Sequence, residues 1–427
     1  MSAPRNVAIV GASLAGLRTA EALRERGYDG ALTLIGEEKH APYDRPPLSK
    51  QVLKGWVGPM ETTLPRARTV GAVWRLGTRA TRLDRERQCI ETADGDRISY
   101  DRVVIATGTR ARAWPAPAEA ALRGMHTLRT PEDAVALLAD LDASPSRVLV
   151  IGAGFTGSEV ASVCRDRGLA VTVVELNATP LMAAFGAVVG DFVARRQREA
   201  GVDLRCGTAV IGILDNGAGR VAGALLSDGH TIAADVVVVC LGAVRNTEWL
   251  DGAGLKAGPA GCVCDSQCHA LDRMGVPVSD VFVCGDIARF RHPLSGDRLV
   301  SLEHWGTAVD QAKIVAANML NPGSASNDAT LPRFWSMQFG VGLKASGLPA
   351  CADEVMIVQG SFDTGRFVAA YGRQGRMVGA VAANQSRWMS FYDEQIIADS
   401  HFPLEFRLVD QPAKPTPRPA EFPARAA

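Results

Sequence analysis

The sequence lacks three features that would direct attention away from a globular enzyme. It has no excess of charge, because 46 lysine and arginine residues balance 46 aspartate and glutamate residues, so no whole-molecule field favours nucleic acid or an anionic membrane. It has no apolar run of the ~20 residues that a membrane span requires. The apolar stretch at 6–17 has only Arg5 before it and no cleavage pattern after it, so a glycine-interrupted strand explains it better than a signal peptide.

Cysteine and histidine do not form a recognisable framework either. The nine cysteines are scattered, without the spacing of a secreted disulfide scaffold. The stretch CVCDSQCH at 262–269 matches no common zinc or iron–sulfur spacing, and no H-x-x-x-H pair occurs. Cys164 falls on a helix, where packing explains it best. We therefore expect a reduced, cytoplasmic enzyme without a metal site.

What the sequence does contain is two glycine-rich loops. In the first, a short buried strand ends at Gly11, and Ser13 and Gly16 follow at the start of a helix. A second strand leads to Glu37. In such a βαβ unit the glycines permit a tight turn, a pyrophosphate lies on the helix N-terminus, and the acid accepts hydrogen bonds from ribose hydroxyls. Serine replaces the expected second glycine, but it is small enough to leave the approach open.

The second loop has the full G-x-G-x-x-G pattern, with Gly152, Gly154 and Gly157 between a strand at 147–151 and a helix at 155–167. The next strand ends in Glu175. A 2′-phosphate beside this carboxylate would cost about 4 kcal/mol at ~4 Å and an effective dielectric constant of ~20. The sequence therefore predicts NADH rather than NADPH, if this loop binds the nicotinamide dinucleotide. Two such loops predict two dinucleotides.

Three further stretches resemble FAD-dependent reductases with two dinucleotide-binding domains and a glutathione-reductase-like fold. These stretches are YDRVVIATGTR at 100–110, VSDVFVCGDIARF at 278–290 and SLEHWGTAVDQAK at 301–313. The resemblance implies an α/β protein with two Rossmann-like domains and a C-terminal α+β domain. It implies that the first loop binds FAD, that Asp286 holds the ribityl chain, that a helix N-terminus faces the flavin, and that the second loop binds NADH.

A sharper resemblance is carried by YDRPPLSK at 43–50, GAGFTGSE at 152–159 and FWSMQ at 334–338. These motifs are similar to those of the NADH:ferredoxin reductases of oxygenase electron-transfer systems. The resemblance covers about residues 5–410. It implies that FAD is reduced by NADH and reoxidised one electron at a time by an iron–sulfur ferredoxin, which feeds a cytochrome P-450 or a Rieske oxygenase.

The resemblance also implies site residues. Lys50 and Glu159 are expected to pair beside the nicotinamide pocket and to be catalytic. The residues expected to bind FAD are Gly11, Ser13, Leu14, Ala15, Gly16, Glu37, Arg45, Lys50, Ala80, Ala106, Thr107, Gly108, Arg129, Gly285, Asp286, Leu302, Glu303, His304 and Trp305. Those expected to bind NADH are Gly152, Gly154, Phe155, Thr156, Gly157, Glu159, Glu175 and Gly242. Met337 departs from the pattern, because the family usually has aspartate there.

One absence separates this chain from other reductases of the same fold. Residues 38–55 contain neither the cysteine pair of disulfide reductases nor the lone cysteine of peroxidase and coenzyme-A-disulfide relatives. Without a sulfur acceptor, electrons must leave the flavin edge singly. Two alternatives stay open: an NADH oxidase or other small-acceptor flavin reductase, and a non-enzymatic NADH-sensing flavoprotein. The missing cysteine disfavours the cysteine-using oxidases, and the Lys50–Glu159 pair favours turnover over sensing.

The same observations predict the domain organisation and a docking surface. The expected domains are a discontinuous FAD-binding domain at 1–112 and 245–327, an NADH-binding domain at 113–244, a C-terminal α+β domain at 328–410 and a disordered, proline-rich tail at 411–427. By resemblance, Trp335 lies on the ferredoxin-binding face. A basic segment that could attract an acidic ferredoxin contains Arg289, Arg291, His292 and Arg298.

Overall fold

The computed structural model describes residues 4–65, 69–322, 330–404 and 416–423. Within them the helices are α1 (Leu14–Glu25), α2 (Pro117–Ala120), α3 (Pro131–Asp142), α4 (Phe155–Asp166), α5 (Met182–Glu199), α6 (Trp305–Leu320) and α7 (Met389–Ile397). Among the described residues, none of these helices combines the length and the hydropathy of a membrane span.

The strands up to the middle of the chain are β1 (Asn6–Val10), β2 (Ala31–Gly36), β3 (Val73–Leu76), β4 (Ala80–Asp84), β5 (Cys89–Thr92), β6 (Arg97–Ser99), β7 (Arg102–Ile105), β8 (Thr109–Ala111), β9 (Met125–His126), β10 (Arg147–Ile151), β11 (Ala170–Glu175), β12 (Asp203–Cys206), β13 (Val210–Asp215), β14 (Val221–Leu226) and β15 (Thr231–Ala233). The remaining strands are β16 (Val236–Val239), β17 (Ala243–Arg245), β18 (Ala257–Gly258), β19 (Gly261–Val263), β20 (His269–Leu271), β21 (Pro277–Val283), β22 (Ala288–Arg291), β23 (Leu299–Val300), β24 (Arg333–Gln338), β25 (Val341–Gly347), β26 (Glu354–Ser361), β27 (Arg366–Arg373), β28 (Arg376–Ala383) and β29 (Arg418–Pro419).

Contacts divide the chain into two compact units. Unit 1 comprises Met1–Asp44, Thr63–Arg110 and Val244–Pro332, and unit 2 comprises Arg45–Thr62, Ala111–Ala243 and Arg333–Ala427. Each unit contains one of the two glycine-rich loops. The finer domain boundaries drawn from the sequence stay a prediction.

Unit 1 is built on a six-stranded sheet in the order β20-β21-β7-β1-β2-β3. Its strands from β21 to β3 run parallel, and only β20 pairs antiparallel. The apolar stripe of α1, with Leu17, Ala20 and Leu23, is fully buried, because helical spacing places these residues on one face. Helices α1 and α6 pack against each other, and their apolar residues share one core with β1, β2 and β7.

Unit 2 contains a five-stranded, wholly parallel sheet in the order β12-β11-β10-β16-β9. Strands β10 and β16 are runs of buried aliphatic residues, as expected for a parallel sheet covered on both faces. A second, antiparallel sheet has the order β24-β25-β28-β27-β26-β29. Helix α5 packs on it through Phe185, Val189 and Phe192.

The expected fold class, two Rossmann-like halves with a C-terminal α+β region, is confirmed. The expected tail is wrong over 416–423, the part of it that the structure describes, because β29 pairs with β26 and Ala187 donates its N–H to the Glu421 carbonyl at 2.9 Å. Proline-rich composition predicted disorder, but proline is compatible with a short edge strand. The rest of 411–427 lies outside the described residues.

Candidate dinucleotide sites and the Lys50–Glu159 pair

The first loop turns sharply at the end of β1. Gly11 has φ +115° and donates its N–H to the Ile35 carbonyl at 2.7 Å. A Cβ atom at Gly11 would overlap the carbonyl oxygen of Ala106, and one at Gly16 would overlap that of Gly11. Ser13 is the N-cap of α1, and its side chain makes no capping hydrogen bond. Only glycine fits at 11 and 16, and the helix N-terminus keeps backbone N–H groups for a ligand.

The second loop repeats this geometry at the end of β10. Gly152 has φ +98° and donates to the Val174 carbonyl at 2.8 Å. A Cβ atom there would overlap the Cys240 carbonyl oxygen, and one at Gly157 would overlap the Gly152 carbonyl. At Gly154, the N-cap of α4, a Cβ atom would meet nothing within 4 Å. Protein packing therefore does not require glycine at 154, whereas the close approach of a pyrophosphate does. The residues present at both loops fit a dinucleotide.

The two acids do not occupy equivalent positions. Val10 pairs with Ile35 and Ile151 pairs with Val174, so Glu175 corresponds to Gly36, and Glu37 corresponds to an exposed leucine. The Glu37 side chain is 69% exposed, and Arg79 lies 3.9 Å away. Glycine is needed at 36 because a Cβ atom there would lie 2.6 Å from the Cβ of Ala12.

Glu175 is 8% exposed and is held by its own loop. Its Oε2 accepts the Ala153 N–H at 2.6 Å, and its Oε1 accepts the Asn177 N–H at 2.8 Å and the Asn177 Nδ2 amide at 2.6 Å. These three bonds fill both lone pairs of Oε1 and one of Oε2. A single acceptor position is left for a ribose hydroxyl. The acid thus stabilises the loop and keeps a negative charge beside it.

The other FAD residues expected in unit 1 gather at the carboxyl ends of adjacent strands. Gly11, Ala106 and Gly285 follow β1, β7 and β21, which are neighbours in the sheet. The Gly285 N–H donates to Gln311 Oε1 at 2.9 Å, which ties the turn before Asp286 to α6. This edge is where ligands bind in open α/β sheets. Ala80 is separate from this group, because it begins β4 in an antiparallel sheet.

The start of α6 contributes a second cluster in unit 1. The helix begins at Trp305, later than the start of the 301–313 motif, and His304 is its N-cap. Trp305 Nε1 donates to Asp44 Oδ1 at 3.0 Å, and Glu303 pairs with Arg245 at 2.9 Å. Burial lowers the pKa of His304 to about 4, although the negative charge of Asp286 opposes this shift. His304 is therefore neutral at physiological pH.

Smaller contacts or backbone geometry distinguish several other expected residues. Thr107 Oγ1 donates to the Asn246 carbonyl at 2.9 Å, and Gly108 has a positive φ. In unit 2, Arg45 Nη1 donates to the Arg129 carbonyl at 2.8 Å, which brings these two residues together. Gly242 accepts the N–H of residue 112 at 3.0 Å.

The Lys50–Glu159 pair forms within unit 2. Lys50 follows a short 3-10 helix, Pro46–Ser49, and Glu159 lies on α4. The Lys50 ammonium donates to Glu159 Oε2 at 2.7 Å, to the Pro46 carbonyl at 3.0 Å and to Ser49 Oγ at 3.3 Å. All three of its N–H groups are thus used. Ser49 Oγ also donates to Glu159 Oε2 at 2.6 Å. Glu159 is buried, and the burial of its charge is compensated by these donors.

Sequence reasoning missed a third group on Glu159. Ser336 Oγ on β24 donates to Glu159 Oε1 at 2.6 Å, and Gln338 Nε2 donates to Ser336 Oγ at 3.1 Å. The signal was present in FWSMQ, because residues 336 and 338 alternate with the exposed Trp335 and Met337, and alternate residues of a strand share a face. The buried pair was not predicted from the sequence, whereas the exposed pair was noted.

Five of the nine cysteines have thiols whose pKa is raised by burial. Burial raises the pKa of Cys164, Cys240, Cys262 and Cys284 to about 12 and that of Cys206 to about 11, so these thiols are weak nucleophiles at neutral pH. Within 4–65, 69–322, 330–404 and 416–423, no group of three or more histidine, cysteine, aspartate or glutamate residues could hold a metal ion.

Two sheets built on parallel strands, each with a strand that leads into a glycine-rich loop that fits a dinucleotide, define the class of oxidoreductases with two dinucleotide sites. Comparison with protein-family models agrees: residues 5–312 match "Pyridine nucleotide-disulphide oxidoreductase", and residues 333–414 match "Reductase C-terminal". The chain belongs to the pyridine nucleotide-disulphide oxidoreductase family.

Similar proteins carry more specific names. Rhodocoxin reductase of Rhodococcus erythropolis is 37% identical, over 90% of this chain and 87% of that protein. The anthranilate 1,2-dioxygenase system ferredoxin–NAD(+) reductase component of Burkholderia cepacia is 38% identical, over 89% of this chain and 91% of its own length. The crystal structure of the covalent putidaredoxin reductase–putidaredoxin complex contains a chain that is 33% identical, with a TM-score of 0.85 and 95% of each chain covered.

These comparisons confirm the resemblance stated from the motifs. The chain is an oxidoreductase of the ferredoxin reductase class, and its cofactors are FAD and NAD(H). The individual site residues assigned by resemblance stay predictions, and their roles are proposed below.

Proposed function

We propose that this chain passes electrons from NADH, through FAD, to an iron–sulfur ferredoxin that supplies a cytochrome P-450 or a Rieske oxygenase. One observation carries the proposal. The chain forms a buried lysine–glutamate ion pair, Lys50–Glu159, while residues 38–55 contain no cysteine for the chemistry of disulfide reductases. Relatives of nearly the same length, named as ferredoxin reductases of oxygenase systems, support it.

FAD, when bound, supplies the redox chemistry, because a flavin accepts two electrons from NADH and releases them one at a time. The first loop would hold its pyrophosphate on the α1 N-terminus, with Ser13 leaving room for the phosphates. Glu37, which is exposed at the end of β2, would accept hydrogen bonds from the adenosine ribose. Asp286 would accept hydrogen bonds from the ribityl hydroxyls, and the α6 N-terminus would stabilise negative charge on the flavin.

The second loop would hold NADH in the same manner on α4. Gly154 leaves open the space above the helix N-terminus, and Glu175 offers its one remaining acceptor position to the adenosine ribose. The fixed charge of Glu175 would repel a 2′-phosphate, so the chain would prefer NADH. Lys50 would present a fixed positive charge beside the nicotinamide pocket, and Glu159 would hold that charge in place.

Two surfaces are candidates for ferredoxin binding, one in each unit. In unit 2, Trp335 and Met337 are 45% and 57% exposed on the edge strand β24. In unit 1, the exposed Arg291 ends β22 and pairs with an exposed aspartate at 3.5 Å. Aromatic and arginine side chains are enriched in protein interfaces. The chain would act in the cytoplasm, where reduced pyridine nucleotide is available.

An anaerobic titration tests this function. Purified enzyme is first reduced with one equivalent of NADH, and the loss of flavin absorbance is recorded. At least two equivalents of oxidised [2Fe–2S] ferredoxin, a one-electron acceptor, are then added, and we expect the flavin absorbance to return faster than with oxygen or a quinone. Faster reoxidation by oxygen or a quinone than by ferredoxin would establish a small-acceptor reductase instead. A stable reduced complex that no acceptor reoxidises would establish an NADH sensor.

A further inference from the structure

Glu159 is contacted by a buried serine to which the proposed function assigns no role. Its Oε2 is occupied by Lys50 and Ser49, whereas its Oε1 accepts only from Ser336 among the described residues. Ser336 is 177 positions away in the chain, on β24. We propose that Ser336, itself held by Gln338, is a positioning residue that fixes Glu159 and through it the charge of Lys50. This inference rests on the proposed role of the Lys50–Glu159 pair.

The direction of each hydrogen bond follows from counting protons. The Gln338 amide can only donate through Nε2, so Ser336 Oγ accepts that bond. A hydroxyl has one proton, and the proton of Ser336 is therefore free to point at Glu159 Oε1. Ser336 and Gln338 are both buried, so water does not compete for these groups. Gln338 thus sets the orientation of Ser336, and Ser336 sets the orientation of the carboxylate.

The packing of β24 on α4 explains why Ser336 arrives at this position. Phe155, Glu159 and Ser162 lie on one face of α4, because they are spaced by about one helical turn. The Phe155 ring centroid lies 4.0 Å from that of Phe334, and Ser162 Oγ accepts the Phe339 N–H at 2.8 Å. The Ser336–Glu159 bond lies between these two contacts. An aromatic contact and a backbone hydrogen bond therefore set the register that brings Ser336 to the carboxylate.

Loss of the Ser336 hydroxyl would leave Oε1 buried without a donor. An unsatisfied buried carboxylate oxygen is costly, and the carboxylate would turn to recover a donor. Because Lys50 and Ser49 both bond to the other oxygen, this rotation would loosen the ammonium. Outer residues of this kind typically change activity by about 10- to 100-fold in metal sites, and we expect an effect at the lower end of that range here.

The first arm of the test compares matched variants in the NADH half-reaction, without ferredoxin. In stopped-flow reduction of the bound flavin, Ser336→Ala should slow the limiting rate about tenfold while the apparent NADH Kd changes less than about twofold. Ser336→Thr, which keeps the hydroxyl, should recover most of the rate. Ser346→Ala is the control, since Ser346 is an equally buried serine on the adjacent strand β25 and should leave the rate unchanged.

The second arm of the test measures how reactive the Lys50 amine is. Lysine acetylation by a trace of acetic anhydride, quantified by peptide mass spectrometry, should modify Lys50 several-fold faster in Ser336→Ala than in wild type or Ser346→Ala. In a double-mutant cycle, Ser336→Ala should have no further effect on the flavin reduction rate in a Glu159→Gln background, because both variants act through one carboxylate.

The outcomes separate this inference from the proposed function. If Glu159→Gln slows flavin reduction but Ser336→Ala behaves like Ser346→Ala in both arms, the positioning role of Ser336 is refuted. The proposed role of the Lys50–Glu159 pair is then still supported. Multiplicative effects in the double-mutant cycle would refute the positioning role equally. If Glu159→Gln leaves flavin reduction unchanged, the proposed role of the pair fails, and this inference fails with it.

Discussion

The two glycine-rich loops have the same backbone and different surroundings. In both, a glycine with positive φ donates to the strand beside it, and a second glycine lies under the turn. The first loop has serine at its middle position and an exposed acid; the second has glycine and a buried acid bonded to its own backbone. The shared backbone is what any dinucleotide requires. The differences in the middle residue and in the acid indicate how selective each loop must be toward its ligand.

The two proposed ligands place different demands on their loops, because FAD stays bound whereas NADH must bind and leave in every cycle. A loop that keeps its dinucleotide permanently can rely on many contacts, and an exposed Glu37 adds little selection. A loop that admits NADH and releases the oxidised form in every cycle must hold its shape when empty. The three hydrogen bonds that Glu175 accepts supply that shape from within the loop. The second loop is thus pre-organised by an internal acid, which lowers the cost of ordering it on each binding event.

The largest effects should come from adding one methyl group at either turn. Gly11→Ala and Gly152→Ala each place a Cβ atom on a carbonyl oxygen at a positive φ, which should cost more than about 3 kcal/mol. We expect Gly11→Ala to lose FAD and lower the thermal unfolding temperature. Gly152→Ala should keep its FAD and lose NADH binding.

Flavin absorbance per chain and the NADH Kd check this contrast. Gly154→Ala is the control for stability and FAD content, because a Cβ atom there meets no protein atom within 4 Å, and it should leave both unchanged. Loss of FAD from Gly152→Ala, with Gly11→Ala unaffected, would reverse the assignment of the loops.

Removal of the acids should sharpen the difference. Glu175→Gln removes a charge and puts an amide donor opposite an N–H group, so it should weaken NADH binding by about 1–3 kcal/mol. The same change should reduce the preference for NADH over NADPH by at least about tenfold, since the repulsion of a 2′-phosphate is relieved. Glu37→Gln should not alter that preference. Steady-state kcat/KM values with both nucleotides measure it, and an unchanged ratio in Glu175→Gln would contradict the proposed selectivity.

The two regions should also respond differently to acid, because His304 is in unit 1. The pKa of His304 is lowered to about 4 in the folded protein, against about 6.5 when unfolded. The unfolded chain therefore binds more protons between these values, and stability falls as pH falls from 6.5 to 4. Relative to pH 7, the free energy of unfolding should be lower by about 2 kcal/mol at pH 5. His304→Gln should remove this dependence, as measured by flavin release in urea at pH 7 and pH 5; an identical pH dependence in the variant would show that His304 is not its source.

The smallest effect concerns the surface. Met337→Asp adds a negative charge beside Trp335 and should raise the KM for an acidic ferredoxin about two- to fivefold at low salt, because charges at the rim of an interface change encounter more than affinity. Flavin reduction by NADH should not change. Met274→Asp, at an exposed turn in unit 1, is the matched control. Equal effects of the two variants would remove β24 from the ferredoxin-binding surface.

The sequence predicts the local features of this protein well. Glycine spacing, buried strands and the start of α4 at Phe155 depend on residues close together in the chain, so the loops could be located without a structure. Features that depend on packing could not. The Ser336–Glu159 bond joins a strand and a helix whose register is set by Phe155 and Ser162. The internal role of Glu175 was also missed, because the motif gives the position of an acid and not its partners.

The pairing of β29 was missed for a related reason. Composition reports how much apolar surface a segment can bury, but not that an edge of an existing sheet offers it hydrogen bonds. Strand β29 adds to β26, and the Glu421 carbonyl accepts from a helix that kinks at Gly186. A Cβ atom at Gly186 would lie 2.8 Å from that carbonyl oxygen, so the kink and the last strand fit each other.

The central claim is that one chain holds two dinucleotides on two separate loops, and native mass spectrometry with NAD⁺ tests it directly. Wild type should carry one FAD and one NAD⁺. Gly154→Asp, whose Cβ atom would meet no protein atom within 4 Å and which suits a helix N-cap, places a carboxylate where the pyrophosphate of NAD⁺ would lie. It should carry one FAD and no NAD⁺. A Gly154→Asp protein that binds NAD⁺ as wild type does, or that loses FAD instead, would contradict the account.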